Sequence, residues 1–131
     1  MPQKKILVAD DELDLLDLTK IILEKNGYQV SLASDGVEAL QKAEKELPDL
    51  ILLDINMPPK SGWEVCKTLK SQDKTKHIPI VLFTVVSITR DEKSKKYAEE
   101  SRADGYLQKP FNINELLAEV KRHLEQRRGI D

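Results

Sequence analysis

Glycine is scarce in this chain, and none of its five glycines belongs to a Gly-rich loop of the kind that cradles phosphate on backbone amides. Cysteine occurs once, as Cys66, which excludes an internal disulfide and suits a reducing compartment. That lone thiol is expected to be a small core residue on a helix. The two histidines, His77 and His123, stand far in sequence from the chain's acidic clusters and leave no zinc-binding set. No apolar run approaches the roughly 20 residues that span a bilayer. The start, Met1-Pro2-Gln3-Lys4-Lys5, runs straight into a strand pattern rather than a signal peptide. No charge sign dominates: 21 basic against 23 acidic residues give a net charge of −2, so there is no nucleic-acid footprint. The pairs Lys121-Arg122 and Arg127-Arg128 fall late in a helix, where cations favour the dipole. A cytoplasmic location is the expectation.

What is there fits one folded domain: 131 residues, 40% hydrophobic and 34% charged. Apolar runs and helix-period segments alternate five times, the pattern of a parallel sheet with helices on both faces. Ile6–Ala9, Leu50–Leu53 and Ile80–Phe83 are continuously apolar, as strands covered on both faces are. Tyr28–Leu32 alternates and Gly105–Leu107 is short, so both read as edges. The expectation is an α/β, doubly wound, five-stranded parallel sheet of order 2-1-3-4-5, flavodoxin-like, with the topological switch between strands one and three.

The helices carry their own signals. Helix one is expected over about Leu13–Asn26, with Leu15, Leu18, Ile21 and Ile22 on its buried face and Gly27 ending it. Helix two, about Gly36–Leu47, has Asp35 and Glu38 in capping-box spacing and Val37, Leu40, Ala43 and Leu47 as its apolar set. Ser61 and Glu64 open helix three, which packs Val65, Cys66 and Leu69. Asn112 and Glu115 open helix five, with Ile113, Leu116, Leu117, Val120 and Leu124 as its stripe. Helix four, within Arg90–Arg102, has only Tyr97 and Ala98 to break a run of charge and is expected to be the least anchored. The core is expected over residues 4–125, with Gln126–Asp131 a frayed end or linker stub.

The strand ends carry the chemistry. Asp10-Asp11-Glu12 closes the first apolar run, Asp54 the third, Thr84 the fourth, and Lys109-Pro110 follows the fifth. Ligands bind at the carboxyl ends of parallel strands. Carboxylates held close together repel, and a cation relieves them; oxygen-only ligands favour a hard ion such as Mg²⁺. Asp54 is then a nucleophile toward phosphorus, with Lys109 a second positive charge and Thr84 a hydroxyl donor. Plainer roles exist for each alone: Asp10 or Asp11 as a helix cap, Asp54 as a strand exit.

Three stretches together resemble the receiver domains of two-component response regulators. They are Lys5-Ile6-Leu7-Val8-Ala9-Asp10-Asp11-Glu12; Asp49 through Pro58 with Gly62; and Gly105-Tyr106-Leu107-Gln108-Lys109-Pro110-Phe111. The resemblance implies Mg²⁺-dependent phosphoryl transfer onto Asp54 from a phosphohistidine on a sensor kinase or phosphotransfer protein. It implies Mg²⁺ ligation by Asp11, Asp54 and the backbone carbonyl of Asn56, with Asp10 acting through water. It makes Lys109 the partner of the phosphoryl group, Thr84 and Tyr106 the switch pair, and Lys109-Pro110 a cis bond. The changed surface would be helix four, strand five and helix five, signalling to an effector protein or fused output domain, with phosphorylation-dependent dimerisation an option. Such a protein accepts a phosphoryl group without being an enzyme for a separate substrate, and binds neither nucleic acid nor membrane directly.

This chain departs from the family pattern in several places. Val85 follows Thr84 where Ala or Gly is usual, which predicts tighter access. Asn56 and Val86 offer no strong acid or base to activate water. The segment from Thr84 to Lys109 is a few residues long, and Arg102 stands where a helix-ending Gly is common. Trp63 is expected to pack at the start of helix three. Two other classes fit less well. A haloacid-dehalogenase-like phosphatase wants a second acid at the position of Asn56, and a non-phosphorylated scaffold would not need all five chemical positions filled. Either a stand-alone protein or a piece of a longer one is compatible with the chain's length.

Overall fold

Five parallel strands build one sheet in the order β2-β1-β3-β4-β5, as expected from the apolar runs. The strands are β1 Lys5–Ala9, β2 Gln29–Ala33, β3 Leu50–Asp54, β4 Ile80–Thr84 and β5 Gly105–Gln108. The helices between and after them are α1 Leu13–Lys25, α2 Gly36–Glu46, α3 Gly62–Lys70, α4 Glu92–Ser101 and α5 Ile113–Ile130. The structure, a computed structural model, describes residues 3–85 and 92–130, and the backbone alone for 92–94 and 126–130. Val86 and the start of the expected helix-four segment lie outside the described residues, as do all side chains of the expected tail.

The central strands are apolar throughout because each faces a packed layer on both sides. Ile6, Val8, Leu50, Leu52, Val81 and Phe83 pack under α1 and α5, with Leu16, Leu23, Leu116, Val120 and Leu124. Leu7, Ala9, Ile51, Leu53, Ile80 and Leu82 pack under α2 and α3, with Ala39, Ala43, Val65, Cys66 and Leu69. Burying such side chains on both faces contributes about 1.5–3 kcal/mol each, which makes the sheet the rigid frame for its carboxyl end.

Helix starts follow the predicted caps. Asp35 Oδ1 accepts from Glu38 N at 2.8 Å, and Ser61 Oγ from Glu64 N at 3.2 Å. Asn112 and Glu115 form a reciprocal box, with bonds of 2.8 and 3.2 Å. The expected helix faces hold for α3 but shift elsewhere. On α1 the buried residues are Leu16, Thr19 and Leu23, while Leu18 and Ile21 are exposed. Val37 and Leu47 of the α2 set and Ile113 of the α5 stripe are exposed as well. Arg102 ends α4 in the left-handed conformation, φ +60°, taking without a glycine the geometry that position requires.

One buried cation ties the far end of the sheet. Lys70, 8% exposed, donates to Ile78 O at 2.9 Å and to Asp104 Oδ2 at 2.6 Å. Asp104 also accepts from Ile80 N at 2.8 Å, so α3, β4 and the loop into β5 share one polar knot.

Candidate functional site

The carboxyl ends of β1, β3, β4 and β5 converge. Asp10 follows β1 and is 1% exposed, Asp54 closes β3 at 4%, and Thr84 closes β4 at 5%. Lys109 follows β5 and is locked to the neighbouring strand end by its own amide, which donates to Thr84 O at 2.7 Å. Phe111 packs against Phe83 with ring centroids 5.0 Å apart, fixing the loop that carries Lys109. The Lys109-Pro110 bond is cis, as the resemblance implied, and so is Pro58-Pro59.

The loop after β3 approaches the site as closely as backbone can. Gly62 N donates to Ile55 O at 2.9 Å, and a Cβ on Gly62 would collide with the carbonyl oxygen of Asp54. Only glycine permits that approach.

Lys109 Nζ organises the acids. It lies 2.8 Å from Asp10 Oδ2, 3.1 Å from Glu12 Oε1 and 3.6 Å from Asp54 Oδ2. Burial alone would lower the amine's pKa, but the hydrogen bond and charge of Asp10, with Asp54 and Glu12 behind it, raise it above its ordinary value. Asp54 is the poorly compensated member. Burial first, and the neighbouring Asp10 charge second, push its pKa up to about 7. Its clearest donor is the amide of Asn56, at 3.4 Å.

Carboxylate oxygens of Asp10, Glu12 and Asp54 lie within 4.8 Å of one another. Three hard oxygen donors, two of them buried and mutually repelling, make a set that is able to hold a divalent cation. Asp11, one of the expected ligands, is exposed and is not among the three; Glu12, which did not stand out as a ligand in the sequence, is. Its signal was its place in the acidic triplet. Neither Asp10 nor Asp11 is the N-cap of α1: Glu12 holds that position, without a side-chain cap bond, while Asp10 Oδ1 accepts from Glu12 N at 3.0 Å. Asn56 is exposed beside Asp54.

Tyr106 lies on the α3–α4 side of the sheet. Its hydroxyl donates to Ala98 O at 3.2 Å, and burial raises its pKa, against a smaller lowering by its hydrogen bond with Ser101. Its ring meets Trp63 at 6.3 Å, and Trp63 stacks on Tyr97 at 5.8 Å. Trp63 is thus more than a helix-start filler: it joins α3, α4 and β5. Val85 is 59% exposed at the rim, where with Glu12, Leu15, Lys109, Pro110 and Phe111 it lines a hollow of about 360 Å³.

The fold and this convergence define a doubly wound α/β domain with acids and a lysine gathered at its strand ends, and comparison with known proteins gives its family. The profile of the response regulator receiver domain matches residues 6–121, and the chain belongs to that family. It is 47% identical over 118 residues to the alkaline phosphatase synthesis transcriptional regulatory protein PhoP of Bacillus subtilis, covering 90% of this chain and 47% of PhoP. The chain therefore spans about half the length of that relative. It is also 34% identical to the polar-differentiation response regulator DivK of Brucella anthropi, covering 95% of this chain and 98% of DivK. Among solved structures, the chemotaxis protein CheY4 of Vibrio cholerae superimposes with a TM-score of 0.86 at 35% identity, over 94% of this chain and 100% of CheY4. The receiver domain of the sensor histidine kinase PA1611 of Pseudomonas aeruginosa, with magnesium in its active-site cleft, does so at 0.84 and 25% identity, over 95% and 99% of the two chains. Among the described residues no helix is long and apolar enough to cross a membrane.

Proposed function

We propose that Asp54 accepts a phosphoryl group from a phosphohistidine on a sensor kinase or phosphotransfer protein, in a Mg²⁺-dependent reaction that alters the α4–β5–α5 surface. The observation that carries this is the position of Asp54: buried, poorly compensated, at a strand tip, 3.6 Å from a lysine whose charge is held by Asp10. A phosphoryl group there would bring about two negative charges and three acceptor oxygens within reach of Lys109 Nζ.

Asp10 and Asp54 would hold Mg²⁺, with Asp11 and the Asn56 carbonyl available to complete the set, while the Glu12 carboxylate is engaged by Lys109. When bound, the ion supplies positive charge that neutralises the incoming phosphoryl oxygens. Asp54 is the nucleophile toward phosphorus; ionised, it attacks, so a cation that favours its ionised form also favours the reaction. Thr84 would donate to a phosphoryl oxygen from the neighbouring strand end, and Lys109 from the next.

The response begins where Thr84 and Lys109 are drawn toward Asp54. Tyr106 gives up its bond to Ala98 O and turns inward, and α4, held by few apolar side chains, shifts with it. A bias of about 3–5 kcal/mol is enough to move most of the population between two states. The altered face then meets an effector protein, an attached output domain or a second copy. The chain acts as a phosphoryl-accepting switch rather than as an enzyme for a separate substrate, in the cytoplasm where a kinase's phosphohistidine is available.

The test is intact mass after incubation with Mg²⁺ and acetyl phosphate, for wild type and Asp54→Asn. One phosphoryl group, labile to base and absent from the variant and from samples in EDTA, is the expected result. An adduct that persists in Asp54→Asn, or that forms without a divalent ion, overturns the proposal.

A further inference from the structure

We infer that Glu12 is a positioning residue that competes with the phosphoryl group for Lys109; this rests on the phosphoacceptor reading above. Lys109 has three N–H donors. Two make short bonds, to Asp10 Oδ2 at 2.8 Å and to Glu12 Oε1 at 3.1 Å. The third neighbour, Asp54 Oδ2, lies at 3.6 Å, beyond hydrogen-bond range. The amine is therefore drawn toward the β1 end and away from the acceptor.

The two holding partners differ in what it costs to release them. Asp10 is 1% exposed and cannot be rehydrated without opening the site. The Glu12 side chain is 64% exposed and returns to water at little cost. When charge accumulates on Asp54, Glu12 is the partner that lets go, and Lys109 redirects that N–H to a phosphoryl oxygen while keeping Asp10. Glu12 thereby holds Lys109 before phosphorylation and opposes its capture afterwards. The same carboxylate lies within 4.8 Å of Asp10 and Asp54, so a role as metal ligand is the rival to be separated from it.

Two titrations by calorimetry separate them: Mg²⁺ alone, and fluoroberyllate in saturating Mg²⁺ as a phosphoryl mimic. They are run on wild type, Glu12→Ala, Lys109→Ala and the double variant. Glu12→Ala is expected to bind fluoroberyllate about three- to fivefold more tightly, the scale of an exposed ion pair. Its Mg²⁺ affinity is expected to change less than twofold. In the Lys109→Ala background the gain should vanish, because it acts through the amine. An equal gain without Lys109 reduces Glu12 to a distant charge and overturns the inference. So does a loss of Mg²⁺ affinity in Glu12→Ala, which makes Glu12 a ligand, or unchanged fluoroberyllate affinity. Wild type that binds neither probe brings down the phosphoacceptor reading itself, and the inference with it.

Discussion

Lys109 Nζ and Asp10 Oδ2 lie 2.8 Å apart although 99 residues separate them in the chain, and both side chains are almost sealed from water. The pair pins the exit of β5 to the exit of β1 across the width of two intervening strands. It also settles which acid at the site is left short of positive charge. Asp10 has the amine in full contact, while Asp54 faces it at 3.6 Å and faces the Asp10 charge as well.

That imbalance predicts a pH dependence of stability in the metal-free protein. Unfolded, Asp54 titrates near its ordinary 3.8; folded, it titrates at about 7. The native state therefore binds the proton more strongly, and this residue's contribution to stability falls as pH rises from about 4 to 7. Asp54→Asn removes that loss. In EDTA at pH 8 the variant should be more stable by on the order of 2–4 kcal/mol, with the gap closing toward pH 4. Urea denaturation of both proteins across that range checks it, and a wild type that is more stable at pH 8 contradicts it.

Lys70 and Asp104 make a different kind of pair. Asp104→Ala strands a nearly buried ammonium and an amide, and is expected to cost about 3 kcal/mol. Lys70→Met leaves a carboxylate that water can still reach, and is expected to cost less, about 1–2 kcal/mol. Urea midpoints of the two variants decide; a larger loss for Lys70→Met contradicts the assignment of Lys70 as the buried member.

Gly62→Ala places a methyl group against the Asp54 carbonyl oxygen. The loop must move, at a cost of about 1–3 kcal/mol, and the backbone beside Asn56 moves with it. Mass spectrometry after acetyl phosphate treatment should show phosphorylation reduced at least tenfold in a variant that still melts cooperatively. Full phosphorylation with undiminished stability would mean the loop is not fixed by that contact.

Tyr106→Phe removes the bond to Ala98 O and keeps the ring against Trp63. A loss of about 1 kcal/mol is expected, seen as faster amide exchange in the last turns of α4 with the Trp63 emission maximum unchanged. Exchange that is unaltered there would separate Tyr106 from the anchoring of α4.

Much of this was written in residue order. Continuous apolar runs at Ile6, Leu50 and Ile80 could only be strands covered on both faces, and their polar end residues marked the site. The helix faces were harder. α1 is apolar on nearly every side, so periodicity does not choose a face, and Thr19 can be buried because its hydroxyl donates to Leu15 O at 2.8 Å. The Lys70–Asp104 knot had no signal, since a lysine in a helix's last turn normally reads as solvated. Glu12 was visible only as a neighbour of two aspartates; its reach to Lys109 belongs to the turn between β1 and α1.

The groups at the strand tips are supplied from opposite ends of the domain, Asp10 and Glu12 from one side and Lys109 from the other. No fragment cut between Asp54 and Lys109 contains the whole set, so the proposed phosphoryl acceptance requires the intact folded domain. Fluoroberyllate capture and circular dichroism should therefore disappear along a single denaturation curve.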